Sequence, residues 1–363
     1  MAVSQIDPNG LNVGQLGSRN MVINGDMRID QRNSGSSVTG HSADLFGVDR
    51  FRAFENHSGS ISCQRVADAP EGFEYSNKIT TTGTDTSLAA TEFTRLVAPI
   101  EGNNISHLNL GSSNAKTCAL SFWVKSSLTG TFCISIFNAA ANRSMVKEYT
   151  ISSANTWEYK TIEVIGDTTG TWLTTNSAGI YISWSLGTGT TYQTSTLNSY
   201  QAAFKMASSS QVNLVGTANS TWQITGVQLE VSPTGEATPF EHRSSGEEMA
   251  LCERYFQKVP IYGESIIGQA YNTTSARFPI HLPVEMRASP ALTVPPPGQS
   301  GNAFKPLTLS LSWPGGTGNN VGNALSNRHF YITCTNYSGL AAGNASTIYA
   351  NSNNVFITAS AEL

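Results

Sequence analysis

In "CALSFWVKSS" (118–127), Cys118, Leu120, Phe122 and Val124 fall on one side of an extended chain, and Ala119, Ser121, Trp123 and Lys125 fall on the other. A strand with one buried face produces this period of two, because successive Cβ atoms point to opposite faces. "TFCISIFN" repeats it with Phe132, Ile134 and Ile136, and "IYISWSLG" with Ile180, Ile182, Trp184 and Leu186 opposite Tyr181, Ser183 and Ser185. The turn-forming "SSLTG" between the first two makes 118–138 read as a hairpin. Strand-length patterns recur between Gly/Ser/Thr/Asn turns with no crossover-helix pattern between them, so antiparallel sandwiches are expected rather than βαβ units. In "TWQITGVQLEV" the apolar phase is even at Trp222 and Ile224 but odd at Val227, Leu229 and Val231, which predicts a β-bulge at Thr225–Gly226.

The alternation breaks once. After Pro233 and Pro239, Ser245 followed by Glu248 reads as a capping box, and Met249, Cys252 and Phe256 share a stripe with Tyr255 beside it. A helix is expected over Gly246–Lys258, and at that length it needs packing to hold it. Strand patterns return from Val259 in "ESIIGQAYN", "ARFPIHLPVEM", "LTLSLSWPGG" and "RHFYITCTNYS". The expected architecture is all-β: an extended arm (1–19), a jelly-roll-like sandwich (20–243), a connector helix (244–258) and a second antiparallel sandwich (259–363). Two domains suit a chain of 363 residues.

Charged residues make up 13% of the chain, about half the roughly 25% of an average domain, and the formal net charge is −4. Such a surface has no pull toward nucleic acid or anionic membrane. No segment approaches a membrane span, and the N-terminus lacks a signal-peptide pattern, so synthesis in a cytoplasm without export by the usual signal is expected. Five scattered cysteines read as buried free thiols, and six dispersed histidines offer no metal-ligand spacing. No nucleophile elbow, HExxH or Walker lysine occurs, and "PGGTGNN" (314–320) reads as a loop. Neither a cofactor nor a metal is implied. Asp26, Asp30, Asp44 and Asp49 lie close in the chain, and salt bridges with Arg28, Arg32, Arg50 or Arg52 are favoured over a cation site.

Two resemblances follow from quoted segments. "NMVINGDMRI" (20–29) and "WQITGVQLEV" (222–231) resemble the first and last strands of jelly-roll carbohydrate-binding modules; Arg28 and Thr225–Gly226 stand where those modules often place structural-calcium carboxylates. More broadly, "NMVINGDMRIDQRN", "QRVADAPEGFEYSNKIT", "LSFWVKSSLTGTF", "NTWEYKTIEVIGDTTGTW" and "ATPFEHRSSGEEMALCERYFQK" are similar to a module of tail-fibre and other virion surface proteins of marine and cyanobacterial bacteriophages, across about 20–258. "VEMRASPALTV" (284–294) is similar to a motif of C-terminal fibre domains. The resemblance implies a non-enzymatic, trimeric virion protein. Residues 1–19 would dock to other virion proteins, and a C-terminal tip would meet the host.

In that frame Met249, Cys252, Tyr255 and Phe256 are candidates for a threefold junction, with a connector helix lying on its own sandwich as the alternative. Sugar binding calls for aromatic faces ringed by amides and hydroxyls. Candidates are Trp123, Trp172, Tyr181 and Tyr192 in the first domain and Tyr271, Trp313, Tyr331 and Tyr337 in the second, against the alternative of aromatics buried at interfaces. The functions weighed are multivalent adhesion to host cell-surface polysaccharide, a purely structural virion role, and polysaccharide cleavage, which lacks a recognisable catalytic set.

Overall fold

The computed structural model describes residues 19–41, 44–295, 304–308 and 319–363. The arm before Arg19 and all of "SLSWPGG" (310–316), Trp313 included, lie outside the described residues. Two compact units divide the chain after Glu248.

The first unit contains β1 (Val38–Gly40), β2 (Leu45–Val48), β3 (Phe51–Glu55), β4 (Ser60–Val66), β5 (Ser76–Gly83), β6 (Phe93–Glu101), the short α1 (Gly102–Ile105), β7 (Cys118–Ser126), β8 (Gly130–Asn138), β9 (Ser144–Ile151), β10 (Glu158–Val164), β11 (Ala178–Thr188), β12 (Tyr200–Gln201) and β13 (Thr221–Val231). They form a six-stranded sheet, β1-β4-β5-β13-β7-β10, and a seven-stranded sheet, β12-β9-β8-β11-β6-β3-β2. From β5 onward the chain keeps crossing between the two layers, the jelly-roll arrangement. The inward positions are those the alternation marks. Leu120, Phe122 and Val124 of one layer and Phe132, Ile134, Ile136, Ile182, Trp184 and Leu186 of the other are fully or almost fully buried in one core.

That topology corrects the hairpin. β7 pairs with β10 and β13, whereas β8 pairs with β9 and β11. "SSLTG" therefore carries the chain across the core from one sheet to the other. Alternation specifies which face of a strand is buried and says nothing about which strand lies beside it, so an arch and a hairpin leave the same pattern.

The segment 20–29 also differs from its expected strand form: it is a series of turns docked on β13. Asn20 accepts the Leu229 N–H through Oδ1 at 3.1 Å and donates through Nδ2 to the Val227 carbonyl at 3.0 Å. Val227 N–H donates to the Gly25 carbonyl at 2.9 Å. A β-carbon at Gly25 would overlap the Val227 carbonyl oxygen, so "NGD" marks a close backbone approach. The buried Asn24, in the left-handed region at φ 61°, ties Ile29 and Asp49 to this turn with three side-chain hydrogen bonds. The bulge stands where the phase shift places it: Thr225 faces Trp123, Gln228 faces Ser121, and one extra residue intervenes. Val227 and Leu229 are buried beyond it, whereas Val231, at the strand's end, is exposed.

The helix, α2 (Ser245–Glu253), is shorter than expected, because Phe256 already begins a strand. Ser244, one residue earlier than the expected cap, accepts the Glu247 N–H at 3.2 Å. Glu248 turns instead to the Asn24 backbone N–H and to Arg243, 3.3 Å away. Cys252, Tyr255 and Phe256 are buried within the chain itself, and only Met249 is exposed, at 36%.

The second unit is one antiparallel sheet of β14 (Phe256–Ala270), β15 (Ala276–His281), β16 (Ala291–Thr293), β17 (Phe304–Thr308), β18 (Asn319–Ala324), β19 (His329–Thr335) and β20 (Ala345–Ser360). Its order is β16-β20-β14-β15-β19-β18, with β17 also paired to β20. Ile261, Phe278, Ile332, Ile348 and Ile357, from four different strands, share one core. Register shifts near Gly263 let the long β14 bend. No helix among the described residues is long and apolar enough to cross a membrane.

Candidate functional site

On β7 the inward Phe122 and Val124 force Trp123 outward onto the exposed face of the six-stranded sheet. Tyr159 of β10 stands directly opposite, with ring centroids 5.3 Å apart and the Tyr159 side 44% exposed. On the other flank Gly226, at φ 62°, leaves room where a β-carbon would lie 2.7 Å from the Phe73 ring and 3.1 Å from that of Trp123. The bulge glycine thus lets two rings close over the strand. Phe73 continues the row to Phe240 (5.1 Å, edge-on) and His242 (5.3 Å).

Polar groups border this row. Lys125 sits 5.0 Å from the Trp157 ring and pairs with Asp68, which also accepts the Trp157 indole N–H at 3.4 Å. Gln223 accepts a hydrogen bond from Ser76 at 3.0 Å. At the far end is a recess of about 310 Å³ lined by Asp26, Arg28, Gly72, Phe73, Glu74 and His242. Asp26 is 6% exposed; its Oδ2 pairs with Arg28 at 2.7 Å, and its Oδ1 is buried with no hydrogen-bond partner among the described residues. The volume is at the lower end of the roughly 300–1,000 Å³ of small-molecule sites.

The remaining acidic candidates are held by arginines and by backbone: Asp49 pairs with Arg32 at 2.8 Å, Asp44 with Arg52 at 3.3 Å, and Asp30 accepts the Asn33 and Gly35 N–H groups. No group of three or more His, Cys, Asp or Glu among the described residues is arranged to hold a metal.

Other aromatic candidates lie apart from this row. Trp172 is buried at 7% exposure and donates to Asp167, itself paired with Arg143 at 2.6 Å, so it serves the loop's packing and not a surface platform. Tyr181, on β11 of the opposite sheet, and Tyr192, in the turn that follows β11, are half-buried. In the second unit Tyr271 and Tyr331 flank Arg277, at 4.5 and 5.1 Å from its guanidinium. Tyr337 is 3% exposed and donates to Asn320 at 3.1 Å, which removes it from any binding surface. Sequence reasoning passed over Tyr159, Phe73 and His242. The alternation of "TWEYKTIEV" did place Tyr159 opposite the buried Ile162; Phe73, in a turn, carries no such signal.

No protein-family model and no curated protein matches the chain. Solved structures give partial likenesses. The enzymatically active domain of bacteriophage CBA120 tailspike protein 4 is 11% identical with a TM-score of 0.31, over 59% of this chain and 21% of that one. A family 11 carbohydrate-binding module from Clostridium thermocellum, in complex with a β-1,3-1,4-mixed-linked tetrasaccharide, is 13% identical with a TM-score of 0.29, over 57% and 98%. TmCBM61, in complex with β-1,4-galactotriose, is 12% identical with a TM-score of 0.26, over 50% and 88%. This chain thus spans about a fifth of the tailspike domain, and at such scores nothing about its function follows from these neighbours.

Proposed function

We propose that this is a glycan-binding virion fibre protein whose first unit holds the sugar on the Tyr159–Trp123–Phe73 row, with one sugar residue in the adjoining recess. The observation that carries the binding reading is the aromatic row itself, Tyr159 exposed and Trp123 and Phe73 half-buried, running to a recess bordered by polar side chains. Rings stack on pyranose C–H faces, and the polar side chains that line the recess meet the sugar hydroxyls. The virion assignment rests on the sequence resemblance across 20–258, with residues 1–19 as the attachment segment. Mounted in several copies, weak sites gain roughly 10²–10⁴ in avidity without new contacts. Homotrimer formation belongs to this proposal; of the residues expected at a threefold junction, Met249 alone is exposed to take part in it. The reading is of adhesion without bond cleavage.

Titration of the protein with neutral β-1,4-linked gluco-, xylo- and galacto-hexasaccharides tests it. At least one is expected to bind, and Trp123→Ala to weaken that binding by about 1–2 kcal/mol, roughly five- to thirtyfold, the scale of one stacking contact. Binding that survives Trp123→Ala and Tyr159→Ala together would place the sugar elsewhere.

A further inference from the structure

The second unit sets two exposed histidines side by side. His281 ends β15, His329 begins β19, and the two stand directly opposite each other in the antiparallel ladder. The Leu282 N–H donates to the Arg328 carbonyl at 2.9 Å, so 282 and 328 form a hydrogen-bonded pair. The next pair along, His281 and His329, is then of the other kind, in which facing side chains come closest. Ile280 and Phe330 take the buried side of the two strands, and both imidazoles are left on the solvent side. Their ring centroids are 4.6 Å apart, with the planes at 88°.

That spacing suits a shared metal ion. With a metal–nitrogen bond of about 2.0–2.1 Å, an imidazole centroid lies about 3.2 Å from the ion, and two rings set about 90–109° apart around it have centroids about 4.5–5.2 Å from each other. Among the described residues no hydrogen bond or ion pair engages the His281 ring. His329 Nδ1 lies 3.2 Å from Ser326 Oγ, which also accepts the Arg328 and His329 N–H groups at 3.2 and 3.1 Å. A polar contact at one ring nitrogen is how metal-bound histidines are oriented, and Nε2 has no partner among the described residues. The adjacent Arg328 is engaged by the Leu282 and Pro283 carbonyls at 3.3 and 3.4 Å.

We propose that His281 and His329 chelate one divalent transition ion of the Zn²⁺, Ni²⁺ and Cu²⁺ class on the outer face of the second unit, with water in the remaining positions. Imidazole suits these ions, whereas Ca²⁺ and Mg²⁺ need oxygen ligands and neither β15 nor β19 contains an Asp or Glu. Two protein ligands make this an open, exchangeable site, unlike a closed structural one. The two histidines also bracket the stretch 282–328, so the ion ties β15 to β19 at the base of a long excursion of the chain. The site is independent of the glycan reading and belongs to a different unit from the Trp123 row.

The test is calorimetric titration of the full chain with Zn²⁺ in the presence of excess Ca²⁺. One Zn²⁺ per chain is expected to bind despite the Ca²⁺, and His281→Ala and His329→Ala are each expected to weaken that binding tenfold or more. Both side chains are exposed, so the metal-free unfolding profiles of the variants should match that of the wild type. Electron paramagnetic resonance with Cu²⁺ as the probe reads the ligands directly: two imidazole nitrogens in the wild type, and no more than one in either variant. Zn²⁺ binding that is absent, that survives either substitution unchanged, or that takes two chains per ion overturns the proposal, as does a Cu²⁺ spectrum that neither substitution alters.

Discussion

Trp184→Ala is expected to destabilise the first unit by about 3–5 kcal/mol, the range for emptying a large aromatic from a close-packed core. Trp184 is fully buried, with Phe51 6.2 Å and Phe122 5.9 Å from its ring. Its indole nitrogen has no hydrogen-bond partner among the described residues. Trp184→Phe should therefore cost only about 1–2 kcal/mol, since it keeps most of the ring contact and removes an unsatisfied donor. The same change at Trp222 removes the donor to the Tyr149 hydroxyl, 3.3 Å away and buried, and should cost about 1 kcal/mol more. Equilibrium urea unfolding followed by tryptophan fluorescence ranks the three. Equal losses for the two Trp→Phe changes would mean that the hydrogen bond at Trp222 contributes nothing.

Glu248→Ala is expected to cost a further 3–5 kcal/mol-sized loss through a different cause, the stranding of a buried charge. Glu248 and Arg243 have side chains only 6% and 8% exposed. The carboxylate accepts the Asn24 N–H, and Arg243 also donates to the carbonyls of Val22 and Asn20. This cluster clamps the 20–29 turns to the start of α2. Glu248→Gln keeps an acceptor for Asn24 and should lose clearly less. Burial lifts the Glu248 carboxyl above its ordinary value, against the pull of the Asn24 N–H and Arg243. A folded value above the unfolded one means that the protonated form is favoured on folding. The contribution is full below the unfolded value near 4.5 and fades as pH rises through the folded one. Glu248→Gln should therefore compare more favourably with the wild type as pH climbs through that window; a stability difference flat from pH 4 to 8 would contradict the assignment.

How much of this was legible in the sequence depended on range. Period-two alternation is a local property, and it placed Phe122, Ile134, Ile182 and Trp184 inward and Trp123 outward without error. The phase slip at Thr225–Gly226 is equally local, and the bulge is there. Partner choice is not local: the same pattern serves an arch and a hairpin, so the β7–β8 relation needed the fold. Likewise Phe256 satisfies a helical stripe and a strand start, and tertiary packing chose the strand. The aromatic row depended most on long range. Trp123 and Tyr159 are 36 residues apart in number, yet meet across one ladder, and Phe73 reaches them only because a glycine leaves space at Gly226. Trp172 and Tyr337 look like surface aromatics in a polar stretch, but each is buried and makes a long-range or loop hydrogen bond that no spacing reveals.

The most direct measurement is a nitrogen–proton NMR titration of the indole signals with the tightest neutral oligosaccharide. The chain has six tryptophans, of which Trp123 and Trp157 border the proposed glycan face, whereas Trp184 and Trp222 are sealed in the core. The account predicts saturable shifts at Trp123, smaller ones at Trp157, and still signals from Trp184 and Trp222. A ligand that binds while the Trp123 signal stays in place would contradict it.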